Sequence, residues 1–595
     1  MPQSPALNSD GPVRVTVSCD GQAQAVLPLI SVTVRHALNT VSWARLVIQD
    51  GDMPQGAAPL SDGNLFKPGA QISISAGYGD DEQPIFSGIL VRHGFRISGD
   101  NDSRLELECR HAACKMTLGR RSAHYVDQTD SAIIQSLISN HGLGAEVDST
   151  SVQHKTLAQH YCSDWDFMLA RAELMGLVLQ CEDGKLVVKA PAFSAAPTLQ
   201  VTWGTDLIDF SADIDARHQW TTVQASSWSL DSQALLQGSS ASPGSDAGQG
   251  NLSGSTLAGV ASPATYAMQS CAPQTKDVLD AWAKSTQLKA TLARQRGHLS
   301  FQGNAQAKPG TVLELKGVGA RFAGKCYLSA VEHDIRDGNW TTLAEFGMPA
   351  DWQMQRHDIM APSGAGLLPG VRGLHIGKVV KLDGDPESQQ RIQVSLPALM
   401  AQTPTIWARL AQFHASNGFG SFFLPEVNDE VIVGFFNDDP SHPVVLGSLY
   451  SSGRVPPYAL AAENNTKAVV TRYKHRLVFD EEKKSITLET AQKNTLVLDD
   501  EGKKCVLKDQ NGNSITLDQN GISLSSVKDI KLTAQANIQG QATAKISWEA
   551  TADYSAKGMN VSAEAQVGFT AKGAATAELS ASGQTTVKGA MVMIN

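Results

Sequence analysis

The sequence predicts a mainly β protein. β-Barrels with a small inserted α/β unit fill its N-terminal part, an OB-type barrel follows, and a C-terminal triple-stranded, intertwined β-helix is shared by three copies of the chain. Three observations carry this prediction. Residues 13–107 hold short runs of alternating apolar and polar side chains, divided by turn pairs such as Asp62-Gly63, Pro68-Gly69 and Gly99-Asp100. That alternation is the two-residue period of strands. Five further strand-like runs crowd into residues 375–450, which suits an OB-type barrel. From about Val527 the chain repeats every eight residues, and a short fixed period marks a solenoid.

Within the repeat, apolar residues stand at Ile530, Ile538, Ile546 and Tyr554. Small residues stand at Ala534, Ala542, Ala550, Gly558, Ala574, Ser582 and Ala590, with Gln566 the one departure. No proline follows Pro457 to remove a ladder donor. Eight extended residues cover roughly 26 Å, too short a circuit for one chain to enclose a core. Three chains giving one side each close a rung of about 24 residues, and their inward side chains meet on the axis. Ile530, Ile538, Ile546, Tyr554, Val561 and Phe569 are the expected trimer core, and a lone chain would expose them as an apolar stripe. An ordinary β-meander is the alternative, because the apolar mark slips by one position after Tyr554, to Val561 and Phe569.

In chain order, Val13–Val17, Val41–Ile48, Gln71–Ser75 and Leu105–Glu108 read as strands of a first barrel over residues 1–111. Residues 112–200 change character. The stretch Asp130–Gly142 carries apolar residues at Ile133, Ile134, Leu137 and Ile138, at helical spacing, with a glycine at its end. A second helix begins after Ser163, a capping residue, with Asp164 and Asp166 at the positive end of its dipole. Strands resume at Leu177–Gln180 and Lys185–Val188. A second barrel is expected over residues 201–365, with a helix near Thr275–Arg296 and strands at Val312–Leu315, Tyr327–Val331 and Trp340–Phe346. The Ser/Gly/Ala-rich stretch 238–265 reads as a mobile surface loop or insertion.

The OB-type barrel is placed at residues 366–456 and the spike at 457–595. The five barrel strands are expected at Gly377–Lys381, Arg391–Ser395, Ile406–Arg409, Glu430–Phe435 and Pro443–Leu446. From Val469 to Ser526, β segments alternate with turns such as Asp509-Gln-Asn-Gly512 and Asp518-Gln-Asn-Gly521. Leu488, Leu498, Leu507 and Leu517 fall about ten residues apart, as in a wide upper prism that tapers into the octads.

Within the barrel stand Trp407-Ala-Arg409, Gly418-Phe-Gly420, Pro425-Glu-Val427, Asp439-Pro440 and Pro443-Val-Val-Leu-Gly447-Ser-Leu-Tyr450. This ordered series resembles the OB domain of VgrG-type spike proteins of contractile injection systems. The N-terminal region looks like the baseplate hub of contractile phage tails. Ser163-Asp-Trp-Asp-Phe167 and Asn464-Asn-Thr-Lys467 look more like spikes of extracellular phage-tail-like particles than like type VI secretion spikes. The resemblance implies a homotrimer whose hub meets inner-tube and baseplate proteins. It also implies a PAAR-type tip protein seated on Met591, Val592, Met593, Ile594 and Asn595, and transient contact with the target membrane.

Other functions find little support in the residues. The net charge is −10 with acidic and basic side chains interspersed, so no nucleic-acid stripe is expected. Phe419, Phe422 and Phe423 lack the basic neighbours of an oligonucleotide groove, and loop packing or a subunit contact is expected of them. The eight cysteines show no metal-ligand pairs and read as buried thiols. Neither Ser163 nor His414 sits in a nucleophile elbow, and no histidine follows His475 to form an iron-binding ring. Only about twenty residues separate Tyr450 from the first prism strand, so neither a lysozyme domain nor a terminal toxin domain is expected. No cofactor is expected either. Met1-Pro-Gln-Ser-Pro5 shows no signal peptide, which suggests cytoplasmic assembly before release in a particle. A trimeric β-solenoid enzyme that degrades envelope polysaccharide is the alternative from another class.

Overall fold

Val32 and Val34 point into one apolar core, and the strand that carries them, Leu29–Ala37, joins the N-terminal region together. In this computed structural model, residues 2–6, 11–24, 26–100, 102–244, 248–261, 263–399 and 405–594 are described. Leu29–Ala37 pairs with Trp43–Gln49 on one side. On its other side it pairs with Gly324–Arg336, nearly 300 residues further along. Thirteen strands among the described residues therefore form one continuous path of pairing, which runs through the two β-rich regions read from the sequence and over two separate apolar cores. The cause is the length of Gly324–Arg336. Its first half, with Cys326 and Leu328, pairs with Val312–Lys316 over a core that also holds Leu199, Leu299, Phe301 and Phe346. Its last residues reach Ile335, inside the other core with Leu46, Ile72, Ile74, Leu105 and Leu107.

Asp81–Ile97, a 17-residue strand, contains Pro84 and Gly88. Pro84 sits beside a register shift at Ile74/Ser75, the kind of position where a missing N–H is tolerated. A Cβ on Gly88 would lie 2.4 Å from the Arg110 carbonyl oxygen, so only glycine fits there.

The α/β unit holds helix α1, Asp130–Asn140, and helix α2, Asp164–Leu174. Ser163 caps α2 by accepting from the Asp166 amide at 3.1 Å. Asp130, the first residue of α1, is fully buried, and Arg171 and His154 hold its carboxylate; a buried charge without such partners would be costly. Helix α3, Lys276–Ala293, starts at Thr275 and packs on the small sheet of Thr222–Ser229, Ala234–Gln237 and Thr265–Ser270. Of the stretch expected to be mobile, Ala241 bridges to Val223 and Gln249 to Gly324. The buried Arg294 donates to the carbonyls of Gln249 and Leu252.

His375–Lys381, Ile392–Ser395, Thr405–Leu410, Glu430–Phe435 and Pro443–Ser448 close a five-stranded barrel around Val379, Ile392, Val394, Ala408, Val431, Val433 and Val445. These strands lie within two residues of the runs read from the sequence.

Residues 450–595 form a second compact unit. Seven antiparallel strands pair strictly in order from Thr466–Val470 to Gly521–Ser525. Their loops recur every 19 residues, at Thr471, Thr490 and Asp509, and each of these side chains accepts from the amide four residues on, at His475, Asn494 and Asn513. Each loop needs one residue of positive φ, and Lys474, Lys493 and Gly512 supply it. Beyond Ser526 the described residues make no strand pairing within the chain. The chain instead bends at residues 527, 535, 543, 551, 559, 566, 574, 582 and 590. All steps are of eight residues except the seven from 559 to 566. The slip in the apolar mark after Tyr554 is thus a real feature of the backbone. It is absorbed at Met559, where the corner is shortened to one bent residue.

Candidate trimerisation surface

Each meander strand is five residues long, and its second and fourth side chains share one face. Register pairs build two apolar columns on that face. One runs Val469, Leu477, Leu488, Leu496, Leu507, Ile515, Leu524, and the other Phe479, Ile486, Leu498, Cys505, Leu517, Ile522. The opposite face is mainly polar, with Val478, Val497 and Val506 at the strand middles. There Glu489 meets Arg476 at 2.8 Å and Lys493 at 3.0 Å. Partial burial would raise the Glu489 carboxyl, but the two cations bring it below the usual range.

Exposure runs against chemistry in this sheet. Leu488 is 53% exposed and Leu498 40%, whereas their polar neighbours Thr487 and Asp499 are less exposed. A row of leucines more open to water than the threonines beside them is a surface made to be covered. The six residues expected as trimer core continue the pattern: Ile530, Ile538, Ile546, Tyr554, Val561 and Phe569 are all exposed in the single chain. Met591, Val592, Met593 and Ile594 are exposed as well, and Asn595 lies outside the described residues. The twelve meander positions from Leu477 to Leu524 were not read as core from the sequence. Their signal was there, as polar-apolar-polar-apolar-polar strands such as Ser485-Ile-Thr-Leu-Glu489 and Ser514-Ile-Thr-Leu-Asp518.

The barrel signature residues are spread over strand positions and loop corners. Trp407 faces Gln393 across the ladder, and the Arg409 guanidinium lies 5.9 Å from the Phe436 ring centre. Gly418 and Gly420 have φ of 82° and 142°, and a Cβ on Gly420 would meet the His414 carbonyl oxygen at 2.5 Å. Asp439 and Pro440 close the hairpin between the last two strands, with the Asp439 carboxylate accepting from the Ser441 amide at 2.8 Å. Gly447 is paired with Ile432 in the last strand. Pro425 is half-buried and Tyr450 exposed. These residues shape turns and barrel wall.

Residues 375–450 match the type VI secretion system/phage-baseplate injector OB domain, and residues 485–550 match the phage baseplate V C-terminal trimerisation domain. Together with the closed barrel and the meander, these matches define a VgrG-type spike protein. Residues 9–337, more than half of the chain, match the Alg8 N-terminal domain, and the chain belongs to that family. Curated relatives include the type VI secretion system spike protein VgrG3 of Vibrio cholerae, 33% identical over 115 residues, or 18% of this chain and 11% of the relative. The spike protein VgrG4b of Pseudomonas aeruginosa is 41% identical over 63 residues, 11% of this chain and 8% of the relative. The chain thus matches about a tenth of the length of these relatives. Among solved structures, the c3393 protein of E. coli, a component of the type VI secretion system, is similar over 73% of this chain and 99% of its own. Its TM-score is 0.37 and its identity 13%. Among the described residues no helix is long and apolar enough to cross a membrane.

Proposed function

We propose that this chain is the non-enzymatic central spike of a contractile, phage-tail-like injection particle that acts as a homotrimer. Three meanders pack their apolar columns together, and three tails complete one another's strand pairing below them. The N-terminal region forms the hub that meets inner tube and baseplate. On sheath contraction the prism concentrates force on a small area of the target envelope. The exposed apolar face of the meander carries this reading, because three copies of one face closing on each other leave no open lateral edge. The match of residues 485–550 to a trimerisation domain supports it. We assign Met591–Ile594 the binding of a PAAR-type tip protein, since that run is apolar and exposed.

A release-competent extracellular particle is favoured over a cell-bound type VI apparatus. Ser163-Asp-Trp-Asp-Phe167 and Asn464-Asn-Thr-Lys467 support this reading; the type VI relatives VgrG3 and VgrG4b align over only 18% and 11% of the chain. The full chain and two truncations test the assembly by light scattering and co-purification. The full chain should give three times the monomer mass, and removal of residues 469–595 should give a monomer. Removal of residues 591–595 should leave the trimer but abolish co-purification of a tip protein. A monomer mass for the full chain at micromolar concentration would refute the reading.

A further inference from the structure

The barrel carries a hairpin, Gln412–Phe423, that is ordered by its own hydrogen bonds yet exposes four phenylalanines. The Ser421 amide donates to the His414 carbonyl at 2.8 Å and the Ser416 amide to the Phe419 carbonyl at 3.0 Å. The Ser421 hydroxyl accepts from the His414 amide at 3.0 Å, and Gln412 Nε2 donates to the Phe423 carbonyl at 3.1 Å. His414 and Phe419 rings meet edge to face. Gly420 permits the tight approach of the two arms. Backbone and polar groups therefore hold most of the hairpin's shape, and among the described residues Phe419 alone of the four phenylalanines makes a ring contact within it. Phe413 is fully exposed, Phe422 82%, and Phe419 and Phe423 about two thirds. Four such rings offer on the order of 600 Å² of aromatic surface, more than the few hundred a soluble monomer ordinarily leaves open.

We infer that this hairpin is an interface between copies of the chain, seated on the barrel of the neighbouring protomer; the inference rests on the trimeric reading above. Charge selects the occupant. Each chain carries a net charge of −10, so copies repel wherever charged faces meet. Leu410–Leu424 contains no Asp, Glu, Lys or Arg, and it can meet its own copy without that cost. Reach supports the same occupant. Seventeen residues, 449–465, separate the last barrel strand from the first meander strand, a span of at most about 60 Å. Once the spike trimerises, three barrels are confined near one another at an effective concentration of roughly millimolar order. The surface of one hairpin approaches the roughly 800 Å² per partner of a stable interface.

The test places the photoreactive benzoylphenylalanine at Phe422 in the full chain, an aromatic replacement on an exposed site. Light scattering is read first and irradiation second. The expected result is a trimer mass with covalent dimers and trimers on heat-denaturing gels. The cross-linked peptides should join residue 422 of one copy to residues 375–448 of another. A trimer mass without intermolecular cross-links, or with cross-links only to an added partner protein, overturns the hairpin contact and leaves the trimer standing. A monomer mass removes both. The double variant Phe422→Ser/Phe423→Ser should keep the circular dichroism of the full chain and speed subunit exchange between labelled trimers at least tenfold. Unchanged exchange counts against the proposal.

Discussion

His36, His111 and His333 come together at a cavity of about 330 Å³ where the two cores of the large sheet meet the α/β unit. Each ring turns its Nδ1 toward a donor: the Ser42 hydroxyl at 2.9 Å, the Ala113 amide at 3.2 Å and the Thr342 hydroxyl at 3.0 Å. The Nε2 groups of His36 and His111 donate to the carbonyls of Ile85 and Glu182. The site thus accommodates neutral imidazoles. Burial lowers all three, His333 to about 3; Lys308 pushes His36 further down, while the Glu182 carbonyl and Asp183 partly offset the effect at His111. Their folded-state values lie below the unfolded value of about 6.5. The unfolded chain therefore binds more protons beneath that pH. The stability these groups contribute is full above about pH 6.5 and is lost as pH falls toward the folded values, at up to about 1.4 kcal/mol per pH unit per ring. The melting temperature of the N-terminal unit should fall between pH 7 and pH 5, and less steeply in His333→Gln. Parallel pH curves for the two proteins in calorimetry would show that the cavity is not responsible.

At the scale of elements, the two faces of the meander make opposite predictions. Leu498→Asp places a carboxylate in each of three facing columns. The loss of three leucines from an interface costs about 5 kcal/mol or more per trimer before the buried charge is counted. Sedimentation should find monomers. Thr487→Asp, on the polar face of the neighbouring strand, should leave the trimer intact; equal effects of the two changes would contradict the assignment of faces. The octads were legible because eight is an even number, so every repeat returns the same side chain to the same face. The apolar columns above them were legible in Ser485–Glu489 and Ser514–Asp518 but masked between those strands. Val497 and Val506 fill the middle of their strands on the polar face, so Leu496-Val-Leu498 reads as a continuous apolar run rather than an alternation. The 19-residue period was masked for a related reason. Its two loops differ in length, and the last is reduced to Gln519 and Asn520. Helix α2 was readable to the residue at its start because Ser163 marks it chemically; the Thr129 cap of α1 was not singled out in the sequence.

For the whole molecule, the spike reading was legible in the ordered barrel series and the tail, whereas the single large sheet was not. Pairing of Leu29–Ala37 with Gly324–Arg336 joins segments too distant for any local pattern to announce. The system that carries the spike is a matter of where the protein is found. Culture supernatant cleared of cells should hold the chain in sheathed particles that sediment together with it, with little left on cell envelopes. Retention with the envelope fraction, and none in the supernatant, would favour the type VI alternative.

The shortened corner at Met559 bears on how three identical chains find their mutual alignment. In a tail whose corners all repeat alike, a strand displaced by eight residues would meet almost the same neighbours, and slipped assemblies would compete with the correct one. A single seven-residue step abolishes that equivalence. One chain displaced by an octad would set its short corner beside two full ones and carry its apolar residues out of phase with theirs between the two corners. Gly558, whose Cβ would lie 3.2 Å from the Asn560 carbonyl oxygen, keeps this corner tight. The irregularity therefore acts as an index mark, by which assembly can tell the one correct alignment from its near copies.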